Sequence, residues 1–359
     1  MENLTHFRRI LFQPLGPRAI AGRHYWRIFR RVSGWIASVS QSAFVISLDF
    51  EQHWGIYDHS SVSAYRKKLD GGRRAIPLIL ERFAAAGVHA SWATVGLLLC
   101  EGREDALTLY PDHPAYQDLE IQIRDVIADS GDSESDDPYH YALSLAQRIA
   151  AAPGQEIATH TFSHYYCLER GPSIRDFEKD LEAAKSVASR HGIDLSAIVF
   201  PRNQYTAAHL AACRRQGFKA FRGNPKAGPY LPRKTGDMTA MTRVTRLLDA
   251  YAEVVSSERL LSRSRHEEGL VNVPASRFLR PVSRLDRGLS WLRLRRICDE
   301  MTRAARVGAD YHLWWHPHNF GTYTEENLAF LDAIIVHYAQ LRRRYGMVSL
   351  TITEAAARA

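Results

Sequence analysis

Apolar positions in this 359-residue chain fall into short runs, and several of the runs end in charged or polar residues. Phe44-Val45-Ile46 leads into Ser47-Leu48-Asp49-Phe50-Glu51, and further strand-like runs cover 89–96, 156–162, 198–203, 270–275, 311–316 and 347–352. Between several of them the apolar spacing changes to a helical period, at 75–86, 174–191, 207–216 and 325–345. Strand and helix in alternation predict a parallel α/β sheet, and the absence of a clear linker predicts one barrel, not two domains. A dinucleotide-binding sheet is disfavoured because no Gly-x-Gly-x-x-Gly turn is present.

Ahead of the first strand, residues 23–39 place Trp26, Phe29, Val32, Trp35, Ile36 and Val39 at helical spacing, with Arg23, Arg27, Arg30 and Arg31 mostly elsewhere. The pattern predicts a basic amphipathic helix, either packed on the domain or in peripheral contact with an anionic membrane. The expected organisation is a basic segment over 1–40 and one α/β domain over 41–359. Residues 129–138 are small and acidic without an apolar side chain, which predicts a solvated, mobile insertion.

Composition narrows the function classes. A hydrophobic content of 45% fills a sizeable core, and the net charge of +8 is spread along the chain. No aromatic RNA-binding motif or zinc-finger spacing accompanies that charge, so an anionic substrate or membrane surface is expected and nucleic acid is not. The four cysteines, Cys100, Cys167, Cys213 and Cys298, lie far apart, against both a disulfide framework and a structural zinc cluster. With the N-terminal apolar stretches broken by Pro14, Pro17, Arg18 and Arg23, neither a signal peptide nor a spanning helix is expected, and the expected location is cytoplasmic.

Chemistry concentrates at the strand ends. Side chains alternate along a strand, so Asp49 and Glu51 share one face and Phe50 takes the other. Thr159-His160-Thr161-Phe162-Ser163-His164 ends another run with two histidines four apart, which meet one metal if the chain turns helical there. Two histidines lacking a third ligand and a base complement two carboxylates lacking a partner. A cation between them resolves both, one acid binding the metal and the other taking a proton. His316 ends the run Leu313-Trp314-Trp315, and strand ends converge on one mouth of a parallel barrel. Arg202, followed by Asn203, ends a fourth run; it either holds a carboxylate or contacts an anionic substrate, with Asp249 as a possible partner.

These segments, in this order, resemble the polysaccharide deacetylase superfamily, carbohydrate esterase family 4 or NodB-homology domain, over about residues 44–350. The resemblance implies a single distorted, incomplete (β/α) barrel and metal-dependent hydrolysis of N-acyl groups on amino sugars. It implies Glu51, His160 and His164 as ligands of a divalent ion, zinc by preference, with Asp49 as base and His316 as acid; Arg202 and Asp249 complete the catalytic candidates. Two departures stand out: Phe50 occupies the place of the usual second aspartate, and Pro201 precedes Arg202 instead of following it. Trp54 and Trp315 are candidates for a sugar-stacking wall, Asn203 for substrate contact, and Arg277 with Arg280 for the phosphate of a nucleotide or lipid carrier. The expected substrate is a carrier-linked N-acylated amino sugar, acetyl or formyl, used in bacterial surface glycan biosynthesis. The alternatives are a metal-independent amidase of a cyclic ureide or imide, and a catalytically silent glycan-binding homologue.

Overall fold

The computed structural model describes residues 41–109, 114–225, 227–231, 239–284 and 288–359. The amphipathic segment expected over 23–39 lies outside the described residues.

Among the described residues ten strands form one sheet: β1 (Ala43–Phe50), β2 (Ala90–Thr94), β3 (Gln155–Thr159), β4 (Ala197–Ile198), β5 (Ala220–Phe221), β6 (Arg265–Glu267), β7 (Leu270–Asn272), β8 (Arg277–Phe278), β9 (Tyr311–Trp315) and β10 (Val348–Leu350). Their order is β6-β7-β5-β4-β3-β2-β1-β9-β8, with β10 also paired to β1, and every pairing except β6 with β7 is parallel. The sheet curls into an incomplete barrel, as the family resemblance implies.

Alternation along the strands sorts the core into two layers. Phe44, Ile46, Leu48 and Phe50 face the helices, including α1 (Val62–Ala86), α2 (Ile174–Arg190), α4 (Ser290–Val307) and α5 (Thr324–Tyr345), the third of the labelled helices being α3 (Ala240–Leu248). Ala43, Val45, Ala93, Ala158, Ala197 and Ala220 face inward, with Ile352 and Ala355 of the last short helix packed among them. Small inward residues suit a closely curled sheet, where side chains of several strands share little volume. Beyond this apolar plug β1 presents Ser47 and then Asp49 on the same inward face, so the interior turns polar toward the C-terminal strand ends.

Two expected runs differ. The run at 198–203 yields only Ala197–Ile198, because Pro201 offers no N–H and Arg202 and Asn203 adopt left-handed backbone (φ 53° and 54°). The acidic stretch 129–138 is tied down instead of loose: Asp137 holds His140 (Oδ2 to Nδ1, 2.6 Å), and Glu134 accepts from Arg73 and Ser144. Close packing also fixes the late histidines. A Cβ at Gly72 of α1 would come within 2.6 Å of the His318 backbone, so only glycine lets the helix approach the turn that carries His316 and His318.

Candidate active site at the C-terminal strand ends

A cavity of about 870 Å³ opens over the C-terminal ends of the sheet, with Asp49, Glu51, His160, His164 and His316 in its lining. Each reaches it for a local reason. Asp49 is the last inward residue of β1, and Glu51 follows as the chain turns into a short 3-10 helix, Gln52–Gly55. Gly55 leaves room for that carboxylate: an added Cβ would lie 2.0 Å from the Glu51 carboxyl carbon and displace it.

The two histidines after β3 meet without the helical turn that was the condition for their pairing. They sit in a turn in which Thr161 and His164 both have left-handed backbone (φ 64° and 57°), unusual for a β-branched residue. Buried Asp180 of α2 holds that turn, accepting from the amides of Phe162 (2.6 Å) and Ser163 (3.1 Å) and from the Ser163 hydroxyl. Burial pushes the Asp180 carboxyl up to about 6 despite these donors.

Glu51 Oε2 stands 3.5 Å from His160 Nε2 and 3.2 Å from His164 Nε2, all three side chains being buried. His160 Nδ1 donates to the Val199 carbonyl at 2.8 Å, which aims its Nε2 at the Glu51 carboxylate. One carboxylate oxygen and two imidazole nitrogens converge in this buried site closely enough to share a cation, and that donor set suits zinc or a similar divalent ion. Burial opposes ionisation of Glu51, but His316 and the hydrogen bonds with His160 and His164 outweigh it and hold its carboxyl well below the usual range. For His164 burial wins, and its pKa is lowered despite Glu51.

Asp49 is held by a residue the sequence reading missed. Arg222 donates from Nη1 to Asp49 Oδ1 at 2.6 Å and from Nη2 to Oδ2 at 2.8 Å, while also reaching Ser47 Oγ (3.0 Å) and Asn203 Oδ1 (2.9 Å). Its guanidinium lies 4.2 Å from the centre of the Trp314 ring. Burial would raise the Asp49 carboxyl, and Arg222 with His160 reverses that, leaving it below its ordinary value. Beneath them His312 Nε2 meets Ser47 Oγ at 2.9 Å; burial and Arg222 push His312 down to about 3, so it is a neutral part of the floor. Arg222 follows the two-residue strand β5. The signal available was Phe218-Lys219-Ala220-Phe221-Arg222, one more apolar run after a helix that ends in a charge.

His316 Nε2 lies 3.4 Å from Glu51 Oε1 and 3.9 Å from Asp49 Oδ2, so the late strand does converge on the same carboxylates. His318, unremarked in the sequence, stacks on it with ring centres 5.1 Å apart and belongs to a second possible ligand group with Glu51 and His316.

Several expected partners are elsewhere. Arg202 lines the cavity, but it pairs with Asp58 and stacks 4.0 Å from the Tyr166 ring centre, and Arg222 takes the carboxylate-holding place. Asp249 accepts from Tyr230 and Val255 (2.7 Å each) and faces Arg277 and Arg296. Arg277 is buried and spent on Glu300, with bonds of 2.6 and 2.7 Å, so its fork is not available to a phosphate. Asn203 lines the cavity with its amide oxygen committed to Arg222. Trp54 is fully buried with its indole N–H on the His140 carbonyl, and Trp315 is buried against Phe83 and Phe320. The half-buried aromatic wall of the cavity is Trp314 with Phe278, their ring centres 4.7 Å apart, because alternation along β9 turns Trp314 inward and Trp315 outward.

No family model matches the sequence, and no curated protein matches it. Among solved structures, the chain is similar to a protein assigned as a polysaccharide deacetylase from Mycobacterium smegmatis, with 13% identity, 96% of this chain and 94% of that chain covered, and a TM-score of 0.56. A protein assigned as a polysaccharide deacetylase from Pseudomonas aeruginosa gives 11% identity, 89% and 90% coverage and a TM-score of 0.51. The 4-alpha-glucanotransferase of Thermococcus litoralis gives 12% identity and a TM-score of 0.50, with 89% of this chain and 41% of that chain covered. The fold is therefore the one the sequence resemblance implied.

Proposed function

We propose that the chain is a metal-dependent hydrolase of linear amide C–N bonds that removes an acetyl or formyl group from an amino sugar carried on a nucleotide or lipid phosphate. One observation carries this reading: buried Glu51, His160 and His164 converge beside an ionised Asp49 on the floor of an open cavity. A divalent ion held by these three side chains, zinc by the chemistry of the donors, supplies polarisation of the acyl carbonyl and an acidified water.

The chain's own groups do the remainder. Asp49 is kept ionised by Arg222 and takes the proton from water; Asn203 and Ser47 hold the Arg222 fork in place. An amine leaves readily only when protonated, and His316, partly open to the cavity, delivers that proton from the other side of the carboxylates. Trp314 and Phe278 receive an apolar sugar face, and the cationic rim at Arg243, Arg246 and Arg280 receives the carrier phosphate.

The test is release of acetate or formate, with the matching mass loss, from nucleotide-linked and lipid-linked N-acyl amino sugars by metal-loaded protein. Chelation abolishes the reaction and zinc restores it. A chitin-type oligomer is turned over more slowly. No acyl release from any carrier-linked sugar by the metal-loaded protein overturns the reading.

A further inference from the structure

Helix α3 at the cavity mouth is built inside out. At 100° per residue Met241, Val244, Leu247 and Leu248 fall on one side, the side that a soluble domain normally buries. Here they are 73%, 47%, 46% and 53% exposed, while polar Thr242 is buried. The inward bonds are polar too: Thr242 pairs with Thr239, and Arg246 Nε donates to the Pro229 carbonyl at 2.7 Å. Leu231, also about half exposed, joins Leu247 in the cavity lining and extends the apolar surface to the opening. An exposed apolar face of this extent beside a cavity marks an interaction surface.

Its charge decoration identifies the occupant. Arg243 and Arg280 line the same mouth, and among the described residues their guanidinium groups make no ion pair or hydrogen bond. Among the described residues no acidic side chain lines this part of the cavity; the carboxylates in its lining, Asp49, Glu51 and Asp58, sit on Arg222, the histidines and Arg202. Apolar side chains bordered by arginines are the arrangement of a helix lying in a bilayer interface, with apolar groups at acyl depth and guanidinium groups among phosphates.

We propose that α3 seats the cavity mouth on an anionic membrane leaflet, so that the carrier phosphate delivered to this site belongs to a lipid and not to a nucleotide. The proposal rests on the carrier-linked reading above and selects the carrier. In this pose the apolar tail stays in the leaflet beside Met241, Val244 and Leu248. The phosphate meets Arg243 and Arg280, and the N-acyl sugar reaches inward past Trp314 to the carboxylates.

The test uses the full chain and vesicles of phosphatidylglycerol with phosphatidylcholine in equal parts, against phosphatidylcholine alone. Substituting Met241→Asp, Val244→Asp and Leu248→Asp together is expected to weaken binding to the anionic vesicles by at least about tenfold, with circular dichroism and metal content unchanged. Arg243→Glu with Arg280→Glu is expected to remove the preference for anionic lipid, as does raised salt. The triple variant is also expected to lose activity on a lipid-linked N-acyl sugar in vesicles, again by about tenfold or more, while any slower turnover of a nucleotide-linked one by wild type is unchanged in the variant. Wild-type vesicle binding by the triple variant overturns the proposal. So does a concentration-dependent dimer that the triple variant abolishes without a change in vesicle binding, since the face then covers a second copy. If wild type hydrolyses neither substrate, the hydrolase reading fails and the vesicle result alone decides the docking.

Discussion

Replacing Arg222 by Met tests the core of the site, because the guanidinium is only 1% exposed and makes four hydrogen bonds to Ser47, Asp49 and Asn203. Methionine fills much of the same volume but leaves Asp49 buried without its counter-charge. Removing one partner of a buried pair costs about 3–5 kcal/mol, which for a chain of this size lowers the melting temperature by roughly 4–7 °C. The pH dependence carries a sign. In the wild type the Asp49 carboxyl is depressed, so its contribution is present above the unfolded value near pH 4 and is lost as pH falls through the folded value. In the variant the largest opposing charge is gone and burial acts against His160 and His316 only, so the Asp49 carboxyl rises relative to wild type and the destabilisation grows as pH climbs above about 4. Arg222→Lys keeps the charge but not the fork and falls between the two. The assay is urea unfolding at a series of pH values with metal saturating, together with the double variant Arg222→Met/Asp49→Asn. A loss below about 1 kcal/mol at neutral pH, or no coupling between the two substitutions, refutes the assigned role.

Metal content separates the ligands from the base: His164→Ala and Glu51→Ala empty the site and Asp49→Asn leaves it filled with activity down by roughly 10² or more, as metal analysis and turnover will show. Gly55→Ala, which forces its Cβ into Glu51, also lowers metal affinity, and full occupancy in this variant counts against Glu51 as a ligand. His312 is held neutral, at about 3, so the unfolded chain takes up a proton near 6.5 that the folded one refuses. Stability falls as pH drops from about 6.5 toward 3, by up to about 1.4 kcal/mol per unit, and the gap between wild type and His312→Asn narrows over that window; a constant gap contradicts the assignment. Trp314→Ala raises KM for the sugar substrate with little effect on folding, whereas Trp315→Ala costs about 3–5 kcal/mol of stability; the reverse pattern restores Trp315 to the stacking wall.

Much of this organisation was legible in the sequence, because it is written in local periodicity. The period of two in Asp49-Phe50-Glu51 is enough to put both acids on one face and Phe50 in the helical layer, and strand-helix alternation is enough for a parallel, barrel-like sheet. Parallel strands present their C-terminal ends together, so Asp49, Glu51, His160, His164 and His316 meet although they are spread over 268 positions, from 49 to 316 counted inclusively.

Partnership was not legible. Arg202 and Arg222 are equally plausible holders of a carboxylate by type, and the choice falls to Arg222 because β5 is hydrogen-bonded beside β4 and aims that side chain under β1, while left-handed backbone at Arg202 turns its side chain to Asp58 and Tyr166. Nor does an isolated Trp314-Trp315 pair say which ring faces the cavity; the register of β9 against β1 decides it. Asp249, Arg277 and Glu300 are brought together by packing of elements far apart in the chain, and that closure takes Arg277 away from any ligand. The chain's own pattern fixes which side of each strand is polar, since that depends on neighbours two residues away. Which charge meets which depends on distances between strands, and these exist only once the sheet has curled.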